Sequence, residues 1–110
     1  MRIAFKMKLF EGNVEEYKKR HNPIWLELKE VLISHGVLSY SIFLDKNTND
    51  LFGYAEIDDR EKWEEIANTD VCKKWWDYMA PLMEVNSDNS PVSKDLKEVF
   101  HIENTDRKEG

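Results

Sequence analysis

Ile3, Phe5, Met7 and Leu9 alternate with Ala4, Lys6 and Lys8. A period of two predicts a strand with one face turned inward. Asn13 stands three positions before Glu16, a capping-box spacing that predicts a helix start. Val14, Tyr17 and His21 then share one face of that helix. Asn22-Pro23 interrupts it. Proline is tolerated in a first helical turn with asparagine as its cap, so a second helical stretch is expected from Pro23 to His35. Ile24, Trp25, Leu28, Val31 and Leu32 form its apolar face, and Gly36 ends it.

Val37 to Leu44 alternates again, with Leu38, Tyr40, Ile42 and Leu44 predicted on one side and Val37 and Phe43 on the other. Asp45 to Asp50 is a polar turn, and Leu51 to Ile57 is the partner strand of a hairpin. Asp58, three positions before Glu61, is the expected cap of a helix carrying Trp63, Ile66 and Ala67, which restarts at Thr69-Asp70. From Val71 to Met83 a broad apolar arc includes Cys72, Trp75, Tyr78 and Met79, with Trp76 at its edge. Lys73, Lys74 and Asp77 lie opposite. Asn86 to Pro91 is a polar loop, either a hydrogen-bonded turn or the rim of a lid. Leu96 to Ile102 offers a last short strand.

Strand, helix, strand, strand, helix, strand is the order of the ferredoxin-like split βαβ arrangement. The predicted class is therefore α+β: a βαββαβ antiparallel sheet with helices on one face, one domain over residues 1–103. Residues 104–110 are polar and expected to form a disordered tail. Both alternating sets of the second strand carry apolar residues, which would leave a bare sheet face in water. Pairing of two sheets, as in a dimeric α+β barrel, would cover it, so a homodimer is expected.

Composition narrows the partners. The net charge is −6 with 35% charged residues, and no basic stripe exists to displace phosphate counterions, so no nucleic-acid partner is expected. Lys18-Lys19-Arg20 follows Glu15 and Glu16 and reads as a solvated helix face. No run reaches the roughly 20 apolar residues of a membrane span, and no membrane partner is expected. A neutral small molecule is the easier ligand. Cys72 is the one cysteine; it cannot form an intrachain disulfide, which fits a reducing, cytoplasmic location.

The chemistry candidates are few. His21, His35 and His101 have no metal-ligand spacing, and no metal is expected. His35 lies in the last turn before Gly36, where imidazole complements the helix dipole, and His101 reads as an ordinary residue of the terminal strand. His21 lies where its helix is about to break, one turn after Tyr17. It is either a proton-transfer group or a half-buried histidine bonded to a neighbouring carbonyl. Tyr17, Tyr40, Trp75 and Trp76 could line one pocket, since indoles pack on the C–H faces of a sugar and phenols bond its hydroxyls. Aromatic residues on an amphipathic arc are equally core material, Trp75 more so than Trp76. No Gly-x-Ser-x-Gly elbow or glycine-rich phosphate loop is present, Cys72 falls on the apolar arc as a packed thiol, and no cofactor is expected.

Tyr17-Lys18-Lys19-Arg20-His21-Asn22-Pro23-Ile24-Trp25, Ser34-His35-Gly36, Thr69-Asp70-Val71-Cys72-Lys73-Lys74-Trp75-Trp76-Asp77-Tyr78-Met79, Asp88-Asn89-Ser90-Pro91-Val92-Ser93 and Glu98-Val99-Phe100 resemble the L-rhamnose mutarotase family. The likeness runs from the first strand to about Ile102. It implies a ferredoxin-like homodimer without a cofactor that exchanges the α and β anomers of L-rhamnose. It further implies a histidine, matched by His21, that transfers protons, while Tyr17, Tyr40, Trp75 and Trp76 match the residues holding the sugar. One departure is visible: the family pattern has proline after the motif tryptophan, and here Leu26 stands there. That should alter how the second helix begins, not the chemistry. Mutarotation needs one proton delivered to the ring oxygen and one removed from the anomeric hydroxyl. His21 is the expected main acid, assisted by the hydroxyl of Tyr17 or Tyr40. The same architecture hosts cofactor-free monooxygenases, and a non-catalytic sugar-binding module is a third possibility; fold alone separates none of these.

Overall fold

The computed structural model describes residues 1–104; of the expected polar tail, residues 105–110 lie outside the described residues. Four strands form one antiparallel sheet in the order β2-β3-β1-β4, with β1 at Arg2–Lys8, β2 at Val37–Asp45, β3 at Asp50–Ile57 and β4 at Lys94–Leu96. Four helices, α1 (Val14–Arg20), α2 (Leu26–Ser34), α3 (Arg60–Glu65) and α4 (Asp70–Met79), supply the other layer. This is the ferredoxin-like arrangement expected from the order of elements.

Pairing puts Ile3 opposite Ala55, Phe5 opposite Gly53 and Met7 opposite Leu51. Val37 faces Ile57, Tyr40 faces Ala55 and Leu44 faces Leu51. These residues share the helix-covered face. Leu9, Leu51 and Ile57 are sealed in it. One part of the core joins Met7, Tyr17, Leu28, Trp75 and Met79; the other joins Val37, Ala55, Ile57, Ile66 and Cys72. Trp76 packs against both.

Several local expectations shift. A β-bulge between Val37 and Ser39 adds one residue to β2 and breaks its alternation. Val37 therefore joins the inward set of Tyr40, Ile42 and Leu44, while Leu38 is exposed. Asn13 does not cap α1 with its side chain; its amide instead donates to the Phe10 and Glu11 carbonyls. Pro23 follows a cis peptide bond, and α2 starts at Leu26 after Trp25, not at Pro23. Leu26 thus occupies the first helical position, where proline is also favoured. Asp59, one residue beyond Asp58, caps α3 by accepting from the Glu61 amide at 3.0 Å. Thr69 caps α4, accepting from the Cys72 amide. Helix α4 stops at Met79 because Pro81, lacking an N–H, enters a 3₁₀ turn over Ala80–Leu82. The last strand lies at Lys94–Leu96, pairing Ala4, Phe5 and Lys6; residues 97–102 form no strand.

Gly36 takes φ +85° behind α2, the left-handed position for which a helix end selects glycine. His35 puts Nδ1 2.7 Å from the Val31 carbonyl, which also accepts from the His35 backbone amide. His101 lies outside the sheet, its Nε2 2.9 Å from Glu103.

Candidate functional site

Helix α1 ends at Arg20 with His21 as its cap residue. The helical spacing of four places His21 over Tyr17: their rings lie 4.4 Å apart between centroids, tilted by 32°. Trp75, from the buried side of α4, meets the His21 ring edge-on at 5.1 Å. The imidazole is thus flanked by a phenol and an indole, half-buried at the end of a helix that can go no further.

His21 Nδ1 lies 2.9 Å from the Tyr17 carbonyl oxygen. A carbonyl only accepts, so Nδ1 carries the hydrogen and Nε2 of the neutral ring carries the lone pair. The carbonyl-bonded histidine of the sequence reading is therefore real. It does not compete with a chemical role, because it fixes which nitrogen is free. Burial lowers the His21 pKa, and the bond to the Tyr17 carbonyl opposes that more weakly. The ring is therefore neutral at neutral pH. Burial pushes the Tyr17 phenol well above its ordinary range, so it keeps its proton.

Tyr40 occupies a second part of the cleft. Its ring packs against Trp63 at 5.7 Å and Phe5 at 6.1 Å. The residue is partly exposed, and desolvation raises its pKa, with Tyr17 and Cys72 acting in the same direction. The Cys72 thiol, pushed up to about 11 by burial, stays protonated and acts as packing.

Tyr17, His21, Tyr40, Trp75 and Trp76 all border one cleft between the helices and the sheet. Trp75 is buried and Trp76 half-buried, as their places in and beside the apolar arc predict. The cleft encloses about 1810 Å³, above the roughly 300–1,000 Å³ of ordinary small-molecule sites, so a monosaccharide would fill only part of it. Asp88, Asn89 and Ser90 border it too. Their loop is the hydrogen-bonded turn considered from sequence. Asn86 N–H donates to the Ser90 carbonyl at 2.8 Å, and Asn89 Nδ2 ties the turn to Asp77 on α4 at 2.9 Å. Among the described residues no cluster of three His, Cys, Asp or Glu could hold a metal ion.

Trp25 and Trp63 pack against site residues without being singled out by the sequence. Trp25 stands edge-on to Trp75 at 5.1 Å, and Trp63 supports Tyr40. Trp25 lies inside the Asn-Pro-Ile-Trp run, where its spacing reads as helix packing. Nothing in the spacing of Trp63 links it to Tyr40, since the contact crosses from α3 to β2.

Comparison with known proteins places this geometry. The fold alone is shared with a monooxygenase of antibiotic biosynthesis from Nitrosomonas europaea, described as putative, at 12% identity and a TM-score of 0.61 over 91% of this chain and all of that one. An L-rhamnose mutarotase crystal structure from Formosa agariphila superposes with a TM-score of 0.86 at 50% identity, covering 94% of this chain and 99% of that one. L-rhamnose mutarotases of Lachnoclostridium phytofermentans and Clostridium beijerinckii are 56% and 60% identical, over 94% and 90% of this chain and 99% and 95% of theirs. The L-rhamnose mutarotase family profile matches residues 2–102, every strand and helix described above, and the chain belongs to that family.

Proposed function

We propose that the chain interconverts the α and β anomers of L-rhamnose, with His21 as the proton-transfer residue and Tyr17, Tyr40, Trp75 and Trp76 around the sugar. The observation that carries the assignment is the Nδ1 bond of His21 to the Tyr17 carbonyl, which leaves Nε2 free as a proton acceptor in a ring kept neutral by burial.

Ring opening then balances as follows. Nε2 takes the proton of the anomeric hydroxyl, the oxygen's electrons form the C1=O bond, and the bond from C1 to the ring oxygen breaks. The ring oxygen keeps that electron pair and takes a proton from a phenol. Tyr17 and Tyr40 both keep their protons and are the donors at hand. Rotation about C1–C2 presents the other aldehyde face, and the same steps in reverse close the ring. His21 therefore enters ring opening as a base, and its conjugate acid protonates the aldehyde oxygen on closure; this differs from the main-acid role expected from sequence, which here falls to a phenol. Positioned proton transfer contributes typically ~10²–10⁴-fold, a suitable scale for a reaction that water already performs. Saturation transfer between the anomeric NMR signals of L-rhamnose, with catalytic protein, tests the activity. Exchange above the buffer rate supports it, and a rate equal to buffer contradicts it.

A homodimer belongs to the same proposal. On the sheet face away from the helices, Phe43 lies opposite Phe52, and Phe43, Tyr54 and Leu96 are exposed. Val99, Phe100 and Ile102 are 88%, 77% and 76% exposed, an apolar surface that a second copy would cover. Light scattering should give twice the chain mass, and Phe43→Glu should give the chain mass; a monomeric wild type contradicts the dimer. No helix among the described residues is long and apolar enough to cross a membrane, and the single cysteine supports placing the protein in the cytoplasm.

A further inference from the structure

Arg20 does not belong to the solvated face formed by Lys18 and Lys19. Both lysines are exposed, whereas the Arg20 side chain is only 20% exposed. Its Nε donates to Glu16 Oε2 at 2.7 Å, one turn back on α1. Its Nη1 donates to the Tyr78 carbonyl, an acceptor in the last turn of α4 that has no partner within the helix. Its guanidinium carbon lies 4.2 Å from the centre of the Tyr78 ring. That ring packs on Trp25 at 5.2 Å and on Trp75 at 5.7 Å, and Trp75 meets His21.

We infer that Arg20 is a positioning residue for the reaction, clamping the end of α1 to the end of α4 so that His21 stands at a fixed place against Trp75. The inference rests on the proton-transfer role proposed for His21. The bond to the Tyr17 carbonyl sets the ring's rotation, but it lies wholly within one short helix. It cannot set where the last turn of α1 sits relative to α4. Arg20 precedes His21 directly and reaches across that gap with a carbonyl bond and a ring stack together. A planar guanidinium makes both at once while keeping its ion pair; a lysine ammonium, a point charge on a flexible stem, does not.

The test compares Arg20→Gln, Arg20→Lys and His21→Ala in the full chain, reading L-rhamnose anomer exchange and the ring-proton NMR signals of His21. Arg20→Gln should lower the rate at saturating sugar about tenfold or more, the scale of a modest misplacement. Sugar affinity should change by less than about twofold, because the loss falls on the reacting geometry and not on ground-state binding. The His21 ring signals should move as the edge contact with Trp75 loosens. Arg20→Lys, which keeps the charge and the stem, should recover only part of the rate. Full recovery by lysine, or an unchanged rate with unmoved His21 signals in Arg20→Gln, would overturn the clamp. If His21→Ala loses exchange while the Arg20 variants keep it, the clamp alone fails; if His21→Ala keeps exchange, the role of His21 fails first.

Discussion

The Phe5 ring occupies the space that a side chain at Gly53 would need: a Cβ there would come within 2.5 Å of Phe5 Cε2 and Cζ. The two residues are register partners on β1 and β3. The centre of the Phe5 ring in turn lies 6.1 Å from those of both Tyr40 and Trp63. The absence of a side chain at Gly53 therefore seats Phe5, and Phe5 supports the tyrosine at one end of the cleft.

Gly53→Ala should consequently do more than strain a strand. Overpacking of this kind costs about 1–3 kcal/mol, which a urea unfolding midpoint reads directly. Displacing Phe5 should also weaken sugar binding by moving Tyr40. Unchanged stability and unchanged affinity would show that Phe5 has room to spare.

The pH profile follows from His21. Its pKa lies below the ordinary 6.5 because burial disfavours the charged ring. In the proposed mechanism the neutral form is the reactive one, so the exchange rate should hold as pH falls past 6.5 and drop only at lower pH. An acid limb centred at or above that value contradicts the assignment. Stability moves with the same sign: the unfolded chain takes up the proton first, so the contribution is present above the unfolded value and is lost as pH falls through the folded one. A thermal-melt series across the acid range checks it.

The two adjacent tryptophans should separate by what they lose. Trp75 is 9% exposed and sits among core residues, so Trp75→Ala should cost about 3–5 kcal/mol of stability. Trp76 is half-buried and borders the cleft. Trp76→Ala should therefore cost less stability and more sugar affinity. Chemical denaturation and an NMR titration with L-rhamnose read the two quantities. Equal affinity in wild type and Trp76→Ala would remove Trp76 from the sugar site.

Much of this was legible before any coordinates. Alternation alone predicts β1 and the hairpin, and the spacing of four that puts His21 over Tyr17 is written in the chain. What was missed has local causes. The bulge at Leu38 inserts one residue and reverses the facing of Val37, which no period-two pattern announces. Pro81 ends α4 early, although the apolar arc continues to Met83. Asp58 and Asp59 can both accept from a helix amide, and only backbone geometry decides that Asp59 caps α3. The apolar run around Val99 and Phe100 reads as a strand, yet pairing with β1 is made by Lys94–Leu96. Trp63 and Arg20 owe their roles to contacts between elements far apart in sequence, Trp63 with Tyr40 and Arg20 with Tyr78. Periodicity carries no trace of such contacts.

The most direct test of His21 is anomer exchange of L-rhamnose by wild type and by His21→Ala, measured by saturation transfer at equal concentration of folded protein. The imidazole account predicts that His21→Ala loses most of the catalysed exchange while still binding the sugar. Exchange at the wild-type rate in a folded His21→Ala would show that another group moves the proton.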